Sequence, residues 1–301
     1  MPIGTLAAGM TQSRTKSPAR LFGGAAGMVF AAALGGCNAV STVTMGTSED
    51  QDTQYAASPT NITSLSDVIE RNPGDPQAYN MRGTVLGRAA RYQDALIDFD
   101  KAISLDPNYA QAYANRGLVY RQTNKLEAAL DDYNHALAID PSYASAYVGR
   151  GMVYRQLGQP LQALQDFNKA ISIRPDDAQA YYNRGRLYQS QSQHQFAIDD
   201  FTTAIGLSQQ QAEPFVARGL SYIAVNDLKA AASDFDDAVQ LEPQNIQAWT
   251  SRGLAYERIG DKEKAAGSYA RALNINQNFE AARTGFIRVG GRYGQTYQTF
   301  N

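Results

Sequence analysis

The dipeptide Arg-Gly recurs every 34 residues, at Arg82-Gly83, Arg116-Gly117, Arg150-Gly151, Arg184-Gly185, Arg218-Gly219 and Arg252-Gly253, with no insertion between any two. A long, unbroken period means that each unit is one supersecondary structure and that neighbours must stack to bury their apolar faces. With each unit numbered so that its glycine is position 8, alanine fills position 20 (Ala95, Ala129, Ala163, Ala197, Ala231, Ala265) and position 27 (Ala102, Ala136, Ala170, Ala204, Ala238, Ala272). Position 24 is always aromatic: Phe99, Tyr133, Phe167, Phe201, Phe235 and Tyr269. Position 4 is aromatic as well, and position 11 is Leu86 followed by five tyrosines.

Spacings of 3, 4 and 7 put side chains on one face of a helix, so positions 4, 8 and 11 define one helix and positions 20, 24 and 27 a second. The small residues let two antiparallel helices approach closely while the rings fill the space between pairs. Pro73, Pro107, Pro141, Pro175 and Pro243 punctuate the boundaries, because the residue before proline is pushed out of helical geometry. Gln209 and Gln277 break that pattern. Antiparallel helices joined near position 14 bring positions 7 and 23 level. Arg82, Arg116, Arg150, Arg184 and Arg218 are therefore predicted to pair with Asp98, Asp132, Asp166, Asp200 and Asp234. The sixth unit has Ser268 there, which leaves Arg252 without this partner and available to a ligand.

These glycines, alanines and aromatics identify residues 76–277 as resembling the tetratricopeptide repeat (TPR) family. Arginine at position 7 departs from the family pattern, which more often has an apolar residue there. The resemblance implies an all-α, right-handed superhelical solenoid of six helix-turn-helix repeats. Residues 61–75, with Leu65, Val68 and Ile69, are expected to form an N-terminal capping half-repeat. Residues 278–301 should supply a C-terminal capping helix, with Phe279, Ala282, Phe286 and Ile287, and a tail. The resemblance also places the first helix of each repeat on a concave groove. The residues expected to face a peptide there are Asn80, Arg88, Asn115, Arg121, Met152, Arg155, Tyr182, Asn183, Arg186, Leu220 and Leu254, with the four arginines forming a cationic stretch. Lysines at positions 2 and 5, needed for the family's chaperone-type carboxylate clamp, are absent.

Composition narrows the chemistry. With a formal charge of -2 there is no cationic excess to neutralise a phosphate backbone, which argues against nucleic acid. Two histidines, His135 and His194, and a single cysteine leave little for metal ligation or a disulfide framework. No nucleophile stands beside a base, so neither catalysis nor a cofactor is expected.

The amino terminus reads as an address. Residues 1–36 carry Arg14, Lys16 and Arg20 and no acidic residue, and an apolar run from Leu21 to Leu34 is too short to span a bilayer as a helix. Leu34-Gly35-Gly36-Cys37 resembles the lipobox of bacterial lipoproteins, which implies cleavage after residue 36 and a lipid on Cys37. Met10 would give a leader of more usual length. Asn38 implies, by the same resemblance, sorting to the outer membrane, facing the periplasm. Residues 37–60 are polar and aperiodic and read as a flexible tether. A lipobox joined to TPR units resembles the NlpI-type envelope adaptor lipoproteins. It implies a non-catalytic scaffold whose partners are envelope proteases, peptidoglycan hydrolases or assembly machinery, and it allows a homodimer. Pilotins of secretin or type IV pilus assembly share that layout and are the alternative.

Overall fold

The computed structural model describes residues 59–292. Every regular element among them is an α-helix. An opening helix, α1 (Pro59–Arg71), precedes six antiparallel pairs: α2 (Pro76–Arg88) with α3 (Tyr92–Leu105), α4 (Ala110–Gln122) with α5 (Leu126–Ile139), α6 (Ala144–Gln156) with α7 (Pro160–Ile173), α8 (Ala178–Ser190) with α9 (His194–Leu207), α10 (Ala212–Ala224) with α11 (Leu228–Leu241), and α12 (Ile246–Ile259) with α13 (Lys262–Ile275). α14 (Glu280–Arg288) closes the stack. The even-numbered helices from α2 to α12 are the A helices and the odd-numbered ones from α3 to α13 the B helices of consecutive repeats.

All twelve alanines at positions 20 and 27 are at most 1% exposed, and the six rings at position 24 at most 2%. Five of the six position-8 glycines are required by those rings; at Gly117 a Cβ would stand 3.4 Å from the Tyr133 ring, an ordinary contact. A Cβ built on Gly151, Gly185, Gly219 or Gly253 would sit 2.7 Å from the ring of Phe167, Phe201, Phe235 or Tyr269. The rings thus pack directly on helix A backbone, and any larger residue would overpack the pair.

Each turn from helix A to helix B passes through one left-handed residue at position 15: Ala90 (φ 56°), Asn124 (58°), Gly158 (69°), Ser192 (59°), Asn226 (65°) and Gly260 (96°). It lets the next amide reach back to helix A, as Arg91 N does to Leu86 O at 2.9 Å and Lys125 N to Tyr120 O at 2.8 Å. Turns from helix B to helix A use an extended residue. Ser208 (φ −147°) and Asn276 (φ −142°), which precede glutamines, take the same extended form as Asp106 (φ −136°), which precedes Pro107. Stacking therefore sets this turn; proline only favours it in advance.

At the ends, Ile69 and, at the other, Ala282 and Phe286 are buried as expected. Val68 and Ile287 are instead 44% and 57% exposed, a correction with a common cause. In repeat register Val68 is position 27 of a helix B and Ile287 position 8 of a helix A. Both sit on the side where a helix of the six repeats meets its pair partner, and among the described residues no helix takes that place. α1 begins two residues before the expected boundary. Cys37, the leader, most of the tether and residues 293–301 lie outside the described residues.

Candidate peptide groove and arginine seam

Five arginines at position 7 cross from helix A to helix B as expected. In each, Nε and Nη2 donate to the two carboxylate oxygens at position 23, at 2.7–2.9 Å: Arg82 to Asp98, Arg116 to Asp132, Arg150 to Asp166, Arg184 to Asp200 and Arg218 to Asp234. The remaining Nη1 turns backward to position 25 of the preceding helix B, donating to Ser66 (3.0 Å), Asp100 (2.6 Å), Asn134 (2.7 Å), Asn168 (2.7 Å) and Thr202 (3.0 Å). Each guanidinium thus ties three helices of two repeats. The hydrogen bonds to these aspartates raise the pKa of Arg82, Arg116, Arg150 and Arg184 against the opposing effect of burial.

Repeat six requires a correction. Arg252 is not available to a ligand: it is 8% exposed and donates to Ser268 Oγ (2.8 Å) and backward to Asp236 Oδ1 (2.5 Å). The carboxylate has moved from position 23 to position 25 of the preceding unit, and the arginine has kept its charge partner.

On the A helices, a cavity of about 270 Å³ opens where α4, α6 and the start of α8 meet. Asn115, Leu118, Arg121, Tyr133 and Met152 line it, together with the Arg174–Asp177 pair at the next turn. Tyr133 belongs to helix B and reaches the cavity through a gap. Position 24 is tyrosine in repeats two and six only, and the following helix has glycine at position 6 in those two cases alone, Gly149 and Gly285. A Cβ on Gly149 would lie 2.6 Å from Tyr133 Oη. Burial pushes the Tyr133 hydroxyl up to about 12, against the pull of the Arg121 guanidinium.

Arg121 Nε and Arg155 Nε are buried and meet no hydrogen-bond acceptor. Burial lowers the pKa of Arg155, and the charges of Arg186 and Arg121 lower it further, so the three guanidinium groups share one field. Arg186 lies over the ring of Tyr182 at 5.8 Å and donates to its hydroxyl at 2.9 Å. This cationic surface has an apolar floor and donors without acceptors, which suits a carboxylate carried on a partly apolar segment.

The other expected residues fare differently. Asn80 and Asn183 are 3% and 2% exposed, and their amides serve the protein, which corrects their assignment as ligand contacts. Asn80 Nδ2 donates to Tyr109 Oη (3.1 Å) and Asn183 Nδ2 to Gln179 O (2.8 Å). Asn115 lines the cavity but also donates to Asn80 Oδ1 at 2.9 Å. Arg88 is exposed at the end of α2, away from the cavity. Leu220 packs partly buried against the C-terminal core, and Leu254 is half-buried; neither lines the cavity. Tyr143, Arg174 and Asp177, which do line it, were not expected, because they sit at repeat junctions outside the A-helix positions. Among the described residues no group of three His, Cys, Asp or Glu side chains could hold a metal ion, and no helix is long and apolar enough to cross a membrane.

Family models described as tetratricopeptide repeat or TPR repeat match residues 76–109, 99–131, 117–158, 151–192, 178–211 and 216–283, together well over half of the chain. No curated protein matches the sequence. Among solved structures, the APC/C hetero-tetramer Cut9-Hcn1 is similar with a TM-score of 0.69 at 18% identity, over 79% of this chain and 47% of that one, so this chain spans about half of its length. PilF of Pseudomonas aeruginosa gives 0.65 at 18% identity over 73% of this chain and 99% of that one. A tetratricopeptide repeat protein of Parabacteroides merdae gives 0.55 at 22% over 80% and 93%. At such identities the likeness is one of fold. The tiling of family models along the same helix pairs makes this chain a member of the tetratricopeptide-repeat family, a solenoid that serves as a protein–protein interaction scaffold.

Proposed function

We propose that the chain is a lipid-anchored adaptor of the bacterial cell envelope, held at Cys37 in the outer membrane and facing the periplasm, that binds an acidic or carboxylate-terminated segment of a protein partner in the groove between α4 and α8. The observation that carries the groove reading is the pair of buried Nε donors of Arg121 and Arg155 beside the apolar side chains of Leu118 and Met152. A buried donor without an acceptor is costly, and a ligand carboxylate would supply one. Envelope proteases, peptidoglycan hydrolases and assembly machinery are the partner classes in view.

The test is capture of partners from envelope extracts by wild-type and Arg121→Ala/Arg155→Ala proteins. The double variant should retain its circular dichroism and lose at least tenfold in affinity, and about 0.5 M salt should weaken the wild type similarly, because salt screens exposed charge. Unchanged capture by the double variant removes the groove reading. The anchor is tested separately: Cys37→Ser should abolish incorporation of a palmitate analogue and leave the protein unprocessed or soluble. Label that persists in the variant rules the anchor out. The pilotin-like reading draws on the same lipobox and on the fold shared with PilF; co-purification of a secretin would favour it.

A further inference from the structure

Position 11 of helix A is tyrosine in repeats two to six and Leu86 in repeat one. In the five tyrosine repeats the ring lies against the position-7 arginine, 5.0–6.0 Å from guanidinium carbon to ring centre, and the ring at position 4 gives that arginine a second aromatic contact. Arg82 has only Tyr79, at 5.9 Å. It is also the most exposed of the six, at 23% of its side chain against 10–20% for the others.

A cavity of about 280 Å³ lies at that place. Its walls are built from the repeat positions that surround those tyrosines. Tyr256 donates to Asp236 at position 25 of the preceding unit (2.9 Å) and lies beneath Lys264 at position 19 (5.0 Å); Tyr120 lies beneath Lys125 at position 16 (5.8 Å). In repeat one these three positions are Ser66, Asp94 and Arg91, and all three line the cavity along with Arg82, Leu86 and Ile62. It is a tyrosine site of the repeat pattern that Leu86 does not fill.

We propose that this cavity, at the N-terminal end of the arginine seam, binds a tyrosine side chain of a protein partner. The ring stacks on Arg82 and the hydroxyl donates to Ser66 Oγ, as Tyr256 does to Asp236. The ligand chemistry is read from the protein's own repeats: the position-7 arginine holds a phenol ring at position 11 five times over, and the flanking positions touch that ring in repeats two and six. The site is separate from the groove, and its occupant need not be the acidic segment assigned there.

The full chain in detergent micelles, titrated with N-acetyl-tyrosinamide, provides the test. Saturable shifts of the backbone amide signals of Ser66, Arg82 and Asp94 are expected, and N-acetyl-leucinamide should leave them unmoved. Leu86→Tyr installs the ring the other repeats carry and should weaken binding of the probe at least tenfold; Leu86→Phe serves if that variant fails to fold. Absence of saturable shifts in the wild type, or equal binding by the filled variant, overturns the proposal. Tyr55→Ala covers the remaining occupant. If the probe binds that variant and not the wild type, the chain's own Tyr55 takes the site, and the assignment to a partner is wrong.

Discussion

Arginines line both the seam between the helix layers and the inner wall of the groove, and the two sets differ in what their guanidinium groups meet. On the seam every arginine has a carboxylate, from Asp98 in repeat one to Asp236 for repeat six. On the wall, Arg121 and Arg155 keep buried Nε donors with no acceptor. The difference teaches that a recurring arginine is structural when an aspartate recurs with it, and that one recurring alone is available for other work. It also sets the stakes for mutation, since removing one partner of a buried ion pair strands the other charge, whereas removing an unmatched cation strands no opposite charge.

The largest effect should therefore come from Asp166→Ala, which leaves the largely buried Arg150 with only the neutral Asn134 as a hydrogen-bond partner. A loss of about 3 kcal/mol is expected from breaking such a pair. Arg155→Ala, one turn further along the same repeat as Arg150, should cost under about 1 kcal/mol. Urea unfolding of the two variants measures both. Equal losses would break the comparison.

A smaller effect tests how Tyr133 joins the two regions. Gly149→Ala places a methyl group against the phenol ring and should cost about 2 kcal/mol by overpacking. Repeats four and five already combine Phe201 at position 24 with Ala217 at position 6 of the next helix. Tyr133→Phe/Gly149→Ala copies that pairing and should recover most of the loss. If the double variant is as unstable as Gly149→Ala alone, the Tyr133 hydroxyl is not what demands the glycine.

These cases also mark what the sequence makes legible. The seam can be read in advance because both partners recur, always 16 residues apart, so helix geometry and the repeat length suffice. Arg252 escapes that logic because its carboxylate, Asp236, stands 16 residues before it, in the position used elsewhere by Asn134, Asn168 or Thr202. The concave set is harder. Helical register puts Asn80 and Asn183 on the inward face, but their burial depends on a neighbouring tyrosine hydroxyl and on a backbone carbonyl, which register does not specify. The cavity owes its shape to a Tyr–Gly pair and to junction residues such as Arg174 and Asp177, whose positions follow from how repeats stack.

Repeats two and six share the Tyr–Gly pair and end it differently, which sharpens the comparison through pH. Tyr133 leads to Arg121, whose Nε has no acceptor, whereas Tyr269 donates to Glu257 Oε2 at 2.7 Å, and Arg288 of α14 holds the same carboxylate through Nη2 at 2.7 Å. The hydrogen bond from Arg288 keeps Glu257 below its ordinary value of 4.5. A carboxylate with a depressed folded-state pKa contributes stability that is fully present above the unfolded value and is lost as pH falls through the folded one. Acidification below about 4.5 should thus loosen α14 from α12, seen as faster amide exchange in α14. The effect should be the smallest of the three, because Arg288 is half exposed and water screens the pair. Glu257→Gln removes the titrating group, so its stability difference from the wild type should shrink on going from about pH 6 to pH 3. A difference that stays constant across that range would mean that Glu257 does not hold the cap by its charge.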